Sequence, residues 1–171
     1  MIRPAKLEEI DEILVMTWAC AARMIAQGIY QWNEHYPSRE AFEKDVERGE
    51  LFILVEDSII GCIVISPEMD EEYKAIDWIT EDGNNYYIHR VAVHPNEQGK
   101  GRARHLMDFA EDHIRNLGGV SVRLDTFSQN SRNQRFYEAR GYQRLGNVYF
   151  PKQSDHPFYC YELVLSEEAN E

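Results

Sequence analysis

The sequence predicts a mixed α/β sheet in a single domain. Three observations lead there. Runs with strand character and runs with helical periodicity follow one another in the order strand, two helices, three strands, helix, strand, helix, two strands. One apolar strand passes through a glycine turn directly into an amphipathic helix. The 171 residues contain no internal repeat, low-complexity tract or Gly/Ser linker, and this length suits one compact domain, residues 1–171, with a full core.

A short strand near Ile2 to Pro4 opens the chain, and Ile10, Ile13, Leu14, Thr17 and Ala21 then recur at helical spacing. Tyr30-Gln31-Trp32-Asn33-Glu34-His35-Tyr36-Pro37 interrupts that pattern. Ser38 is placed to cap a second, short helix, although Ala41 stands where a capping box has Glu or Gln; Gly49 ends it. Two β-branched runs, Leu51 to Val55 and Ile59 to Ile65, joined by Glu56-Asp57-Ser58, read as a hairpin without the favoured Asn-Gly turn. Pro67 to Asn85 is rich in acids (Glu68, Asp70, Glu71, Glu72, Asp77, Glu81, Asp82) and reads as a long exposed loop. Tyr86 to His94 is the next strand. In the helix that follows, Leu106, Phe109, Ala110, His113 and Leu117 form one stripe, stopped by Gly118-Gly119. Val120 to Phe127 alternates as a strand, Asn130 to Arg140 is a helix ended by Gly141, and Tyr142 to Phe150 and Phe158 to Leu165 are the closing strands. The polar tail Ser166 to Glu171 is expected to fray.

A composition of 43% hydrophobic and 28% charged residues is ordinary for a soluble globular protein. No apolar run approaches the roughly 18–20 residues needed to cross a bilayer, so no membrane partner is expected. The opening Met1-Ile2-Arg3-Pro4 runs straight into the amphipathic pattern without a signal peptide's apolar stretch, which makes a cytoplasmic location the expectation. Cys20, Cys62 and Cys160 lie far apart, against a disulfide framework or a zinc site, and the six histidines show no HExxH-type spacing, so no metal is expected. A formal net charge of −12 argues against a nucleic-acid partner, which needs a concentrated basic surface. The same field attracts a cationic substrate, though acidity also serves solubility alone.

The most informative segment is Val91-Ala92-Val93-His94-Pro95-Asn96-Glu97-Gln98-Gly99-Lys100-Gly101-Arg102-Ala103. A strand ends, Pro95 turns the chain aside, and a helix begins inside the glycine run. The first amides of a helix lack intrahelical partners and sit at its positive end, which makes an anion site. Gly99 and Gly101 let the main chain approach an oxygen closely. Lys100, Arg102 and Arg104 reverse the sign of an otherwise acidic chain and so favour a phosphorylated ligand. A P-loop is absent, and a GxGxxG dinucleotide fingerprint would need glycine at Arg104. The plain alternative is a glycine-containing strand-to-helix turn.

Gln98-Gly99-Lys100-Gly101-Arg102-Ala103 resembles the Q/R-x-x-G-x-G/A motif of the GNAT superfamily of acetyl-CoA-dependent N-acetyltransferases. Val91 to Pro95 is similar to that family's fourth strand and its exit. Downstream, Asn130-Ser131-Arg132-Asn133-Gln134-Arg135-Phe136-Tyr137-Glu138-Ala139-Arg140-Gly141-Tyr142 resembles the signature N-x-x-A-x-x-F-Y-x-x-x-G-F, with Asn133 for the usual small residue and Tyr142 for the usual Phe. The motifs stand in the family's order, and the resemblance covers essentially the whole chain. It implies a mostly antiparallel mixed sheet, flanked by about four helices and splayed between the fourth and fifth strands.

The resemblance further implies acetyl-CoA as co-substrate, with Gln98, Gly99, Lys100, Gly101, Arg102 and Ala103 at its pyrophosphate. Val91, Ala92 and Val93 would pair with the pantetheine arm as an added strand would, and Asn130 and Asn133 would lie beside the arm. An amine with a pKa near ~10 must lose a proton before attacking. A backbone N–H at Val91 or Ala92 can stabilise the developing oxyanion. Asn130, Gln134 and Tyr137 share one helix face at i, i+4 and i+7, and the Tyr137 phenol can donate to the departing thiolate. A base is harder to assign: His89 has the right intrinsic pKa, Glu162 and Asp125 are weaker candidates, and reaction of the neutral amine fraction without a base stays open. For the acceptor, Trp32 and Tyr36 fall where the family builds its acceptor wall, able to stack a cation or to pin the loop to the core. Asp125 can bind a cationic amine. The expected reaction is direct attack of a small primary amine in a ternary complex; the alternatives are acetylation of a peptide or protein, and a non-catalytic acyl-CoA sensor. The likeness is to a bacterial branch without an assigned acceptor. A homodimer is expected by family analogy alone.

Overall fold

The computed structural model describes residues 1–165; the tail expected to fray lies outside the described residues. The elements follow the predicted order: β1 (Ile2–Pro4), α1 (Ile10–Ala26), α2 (Arg39–Glu47), β2 (Leu51–Val55), β3 (Ile59–Ser66), β4 (Asn85–Val93), α3 (Arg102–Asn116), β5 (Ser121–Phe127), α4 (Ser131–Ala139), β6 (Gln143–Val148) and β7 (Phe158–Val164). The strands hydrogen-bond in the order β1-β2-β3-β4-β5-β7-β6. Pairing is antiparallel for β1–β2, β2–β3, β5–β7 and β6–β7, and parallel for β4–β5 over Asn85–Tyr87 against Ser121–Arg123. A seven-stranded, mostly antiparallel mixed sheet with four helices is the architecture the sequence led us to expect.

The chain forms two compact units. The first comprises Met1–Ile65 and His89–Ala110. Its core joins the predicted α1 stripe of Ile10, Ile13, Leu14 and Ala21, with Met16 and Cys20, to Leu51 and Ile53 of β2 and Cys62 and Val64 of β3. Every residue of β3 is buried, which is why that strand reads as a continuous apolar run rather than an alternating one. Ser38 caps α2 as expected, its Oγ accepting the Ala41 N–H at 3.1 Å. Gly61 has no room for a side chain: an added Cβ would stand 3.1 Å from the Ala92 carbonyl oxygen.

The second unit comprises Ser66–Ile88 and the described residues from Glu111 onward. Here the sequence expectation needs correction. Pro67 to Asn85 is not a simple exposed loop: it contains a 3-10 helix, Glu71–Ala75, and buries Tyr73 completely. Tyr73 donates to Asp125 and packs on Trp78 and Tyr87, and the later part of the loop is held by Arg123 on β5, a fully buried guanidinium that must find acceptors. It donates to Glu162 of β7 at 3.1 Å, Asp82 at 2.7 Å, the Thr80 carbonyl at 2.7 Å and the Tyr87 hydroxyl at 3.0 Å, and lies 4.5 Å from the ring centre of Trp78. The later part of the loop is thus tied down by one cation, with Asp82 its ion-pair partner although the Asp82 side chain stays 68% exposed.

A second correction concerns α3. The residues buried there are Leu106, Met107, Ala110, Glu111 and Ile114, whereas Leu117 is exposed beyond the helix end and Phe109 and His113 are half-buried. Two overlapping stripes share Leu106 and Ala110. Packing selects the one that buries Ile114, and the carboxylate on that face, Glu111, is held by Arg140 and Tyr142.

Candidate active site

The glycine turn is built from both ends. At the exit of β4, His94 Nδ1 accepts the Asn96 N–H, and Pro95–Glu97 makes one 3-10 turn. Gly99 and Gly101 both take φ +80°, a conformation costly for any residue with a Cβ, and α3 begins at Arg102. The first main-chain bond of the helix is His105 N–H to Gly101 O at 3.1 Å. Among the described residues, the N–H groups of Gly99, Lys100, Gly101, Arg102, Ala103 and Arg104 have no hydrogen-bond acceptor. Six consecutive amides therefore stand unpaired at the positive end of a 15-residue helix.

The surrounding side chains hold the turn more than they charge it. Gln98 Nε2 donates to the Val93 carbonyl at 3.1 Å, and Arg23 donates to the Pro95 carbonyl at 2.8 Å. Lys100 and Arg102 are both paired with Glu97 at 3.2 Å, and Arg102 also reaches Glu56 at 3.0 Å. Arg104 has no such partner among the described residues. The local sign reversal read from the sequence is therefore largely neutralised within the turn, and the amides carry most of its capacity for an anion. One further donor, Arg102 Nε, is buried without a partner.

Upstream, β4 is kinked. Arg90 has φ +50°, and among the described residues no other non-glycine residue has a positive φ. Its guanidinium is gripped by Asp45 of α2, and its carbonyl oxygen accepts the Cys62 thiol at 3.3 Å. Beyond the kink the Ala92 N–H is directed at the Cys62 sulfur. Strand alternation turns the Val91 amide to the opposite edge of β4. Of the two amides named from the sequence for an oxyanion, Ala92 is thus engaged by its own unit. His89 beside the kink is half-buried; burial, with Arg90 adjoining, pushes its pKa down to about 4, so it is neutral at physiological pH.

In the second unit, Asn130 caps α4, its carboxamide oxygen accepting the Asn133 N–H at 3.1 Å. Gln134 Nε2 donates to the Phe127 and Ser128 carbonyls at 3.2 and 2.9 Å and fastens the helix to the end of β5. Tyr137, 7% exposed, lies among the rings of Phe136, Tyr142 and Tyr161. Its hydroxyl has no hydrogen-bond partner among the described residues. Desolvation, and then the nearby Asp125 charge, raise its pKa above the ordinary phenol value, so it keeps its proton throughout the physiological range. The departure at Tyr142 has a structural reason: its hydroxyl donates to Glu111 at 2.8 Å, beside a forked pair between Glu111 and Arg140.

Asp125 accepts the hydroxyl of buried Tyr73. Glu162 is committed to structure: burial alone would raise its pKa, but hydrogen bonds from Ser121, Thr80 and Arg123 hold it below the ordinary carboxylate range. The loop aromatics differ from one another. Trp32 is 7% exposed within the first unit's core, Tyr36 is half-buried with its hydroxyl accepting from Arg90 at 3.2 Å, and Tyr30 stands 60% exposed. Asp45, Glu111 and Arg123 escaped the sequence reading because each resembles a surface charge until its partner is known. The one available signal was the pair of aromatics, Tyr73 and Trp78, inside an acidic run.

Comparison with known proteins gives the family and the fold. The model of the acetyltransferase (GNAT) family matches residues 8–142. The uncharacterised N-acetyltransferase YesJ of Bacillus subtilis (strain 168) is 24% identical over 147 residues, 84% of this chain and 81% of that protein. A GNAT-family acetyltransferase of Streptococcus agalactiae 2603 superposes with TM-score 0.83 at 24% identity, covering 98% of this chain and 96% of that one. A Staphylococcus aureus Mu50 protein does so with TM-score 0.76 at 28% identity, covering 97% and 99%. The family model spans most of the chain, and the strand plan is shared with the solved structures: the chain belongs to the GNAT family of acetyltransferases, acyltransferases that draw their acetyl group from acetyl-CoA.

Proposed function

We propose that this chain transfers the acetyl group of acetyl-CoA to a primary amine by direct attack in a ternary complex, and that the acceptor is a small cationic amine. The observation that carries the reading is the run of six unpaired amides from Gly99 to Arg104. They match a diphosphate, whose oxygens accept several short N–H contacts at once. Gln98 keeps the turn on the end of β4 through the Val93 carbonyl, which leaves the Val91 carbonyl and the Val93 N–H for the pantetheine amides. Bound acetyl-CoA supplies an activated thioester carbonyl.

The chain's own groups then have separable tasks. The Val91 N–H stabilises negative charge on the carbonyl oxygen. Tyr137, holding its proton, donates a hydrogen bond to the departing sulfur rather than surrendering the proton, since its pKa lies above that of a thiol. Solvent completes the thiol. His89 is the proposed proton acceptor, and a rate that depends on it has its acid limb near pH 4 rather than near 6.5, activity falling as the imidazole protonates. The charge of −12 and the carboxylate of Asp125 support a cationic acceptor.

The experiment is thiol release from acetyl-CoA across polyamines, amino acids, aminoglycosides and short peptides. Turnover of a polycationic amine that slows as salt is raised supports the reading. Turnover of peptides alone shifts the acceptor class. Tight binding of acetyl-CoA with no turnover across the whole panel replaces the enzyme with an acyl-CoA sensor.

A further inference from the structure

An L-residue at φ +50° is strained, and the bulge that places such a residue in a strand ordinarily uses glycine. β4 has Arg90 there instead. Glycine would relieve the strain at once, so the arginine side chain must do something glycine does not. What it does is visible. Arg90 Nε and Nη2 donate to Asp45 Oδ2 and Oδ1 at 2.8 and 2.7 Å, the two-pronged fork a guanidinium makes with a carboxylate. Nη1 donates to the Tyr36 hydroxyl at 3.2 Å. Asp45 is buried on α2, and the Arg90 side chain is 15% exposed. A buried ion pair adds little net stability over apolar packing, and its best-attested use is to fix one conformation.

We propose that Asp45 is a positioning residue for acetyl transfer: by gripping Arg90 it holds the kink of β4 that aims the Val91 amide. The kink resets the alternation of the strand. After it, Ala92 turns to β3, where its carbonyl closes on Gly61 and its N–H meets the Cys62 sulfur. The Cys62 thiol in turn takes the Arg90 carbonyl that the kink displaces. Val91 is left facing the other edge, its angle set by a residue held from α2 and from the loop before it. The inference rests on the proposed use of that amide as the oxyanion donor.

The test compares wild-type protein with Asp45→Asn and Arg90→Lys, using [1-13C]acetyl-CoA as the probe and infrared difference spectra of the bound thioester carbonyl. Wild-type protein is expected to lower the carbonyl frequency relative to free acetyl-CoA. In folded Asp45→Asn the band moves back towards the free value and kcat falls about 10- to 100-fold, as misaiming of a catalytic group does. KM for acetyl-CoA stays within about threefold, because the glycine turn is untouched. A folded variant with the wild-type band and kcat overturns the proposal, and so does one that raises KM alone. Should Asp45→Asn not fold, Arg90→Lys decides: it keeps the charge but loses the fork, so an unmoved band there is equally fatal. Failure of wild-type protein to bind acetyl-CoA would defeat the functional reading itself, whereas binding with an unshifted carbonyl would defeat the oxyanion role of Val91 and the positioning role with it, leaving acetyl-CoA binding intact.

Discussion

Tyr137→Phe removes one oxygen atom and separates two roles cleanly. The ring packs among Phe136, Tyr142 and Tyr161, and phenylalanine keeps those contacts. The hydroxyl has no hydrogen-bond partner among the described residues, so its enclosure is uncompensated. Deleting an unpaired, partly desolvated hydroxyl relieves about 0–1 kcal/mol, at the low end of the cost of such burial. For a chain of this size that is a rise in Tm of about 0–4 °C. Catalysis should move the other way. A hydrogen bond to a charged sulfur contributes about 1.5–3 kcal/mol, so its loss lowers kcat about 10- to 150-fold. Thermal unfolding and thiol release, run on the same preparation, give both numbers. A Tm lowered by several degrees with kcat intact would show that Tyr137 is a packing residue and refute the argument.

Three further outcomes follow from the same geometry. Gly101→Ala meets no steric obstacle but must hold φ +80°, at a cost of about 1–2 kcal/mol; a lower Tm and weaker acetyl-CoA binding by calorimetry are expected, and no change in either would show that the helix start relaxes freely. Tyr142→Phe restores the family's usual residue yet loses the 2.8 Å bond to Glu111, so it should destabilise the protein by about 1.5–3 kcal/mol in denaturant titration while acetyl-CoA binding persists; equal stability would contradict the role given to that hydroxyl. His89, with a pKa of about 4, binds its proton later than the unfolded chain does, so stability is complete above about pH 6.5 and is lost as pH falls from there to about 4. At about 1.4 kcal/mol per unit the ceiling is roughly 3 kcal/mol, reduced by solvent at a half-buried site. His89→Asn should flatten the Tm–pH curve over that interval, and parallel curves would count against the burial of the imidazole.

What the sequence disclosed follows the reach of its physics. Element order, the Ser38 cap and the glycine turn are local properties, written in periodicity and in residues that few other conformations accept. The α3 stripe was ambiguous because Ile114 and His113 are one residue apart, and only the packed partner selects between them. Long-range ion pairs were not legible. Asp45 and Arg90 lie 45 residues apart, and Arg123 and Glu162 lie 39 apart; nothing nearby distinguishes such charges from solvated ones. The cations of the turn were legible as charges but not as paired charges, since Glu56 comes from a distant hairpin. Trp32 looked like a candidate for exposure because its neighbours in sequence are polar, yet its ring belongs to the first unit's core.

The measurement nearest the centre of this account is a calorimetric titration of the protein with CoASH and, separately, with pantetheine, which lacks the diphosphate. If the amides of Gly99 to Arg104 grip that group, CoASH binds at a single site and pantetheine binds at least about 100-fold more weakly, a difference of about 2.7 kcal/mol. Equal affinities, or no heat from either compound, would contradict it.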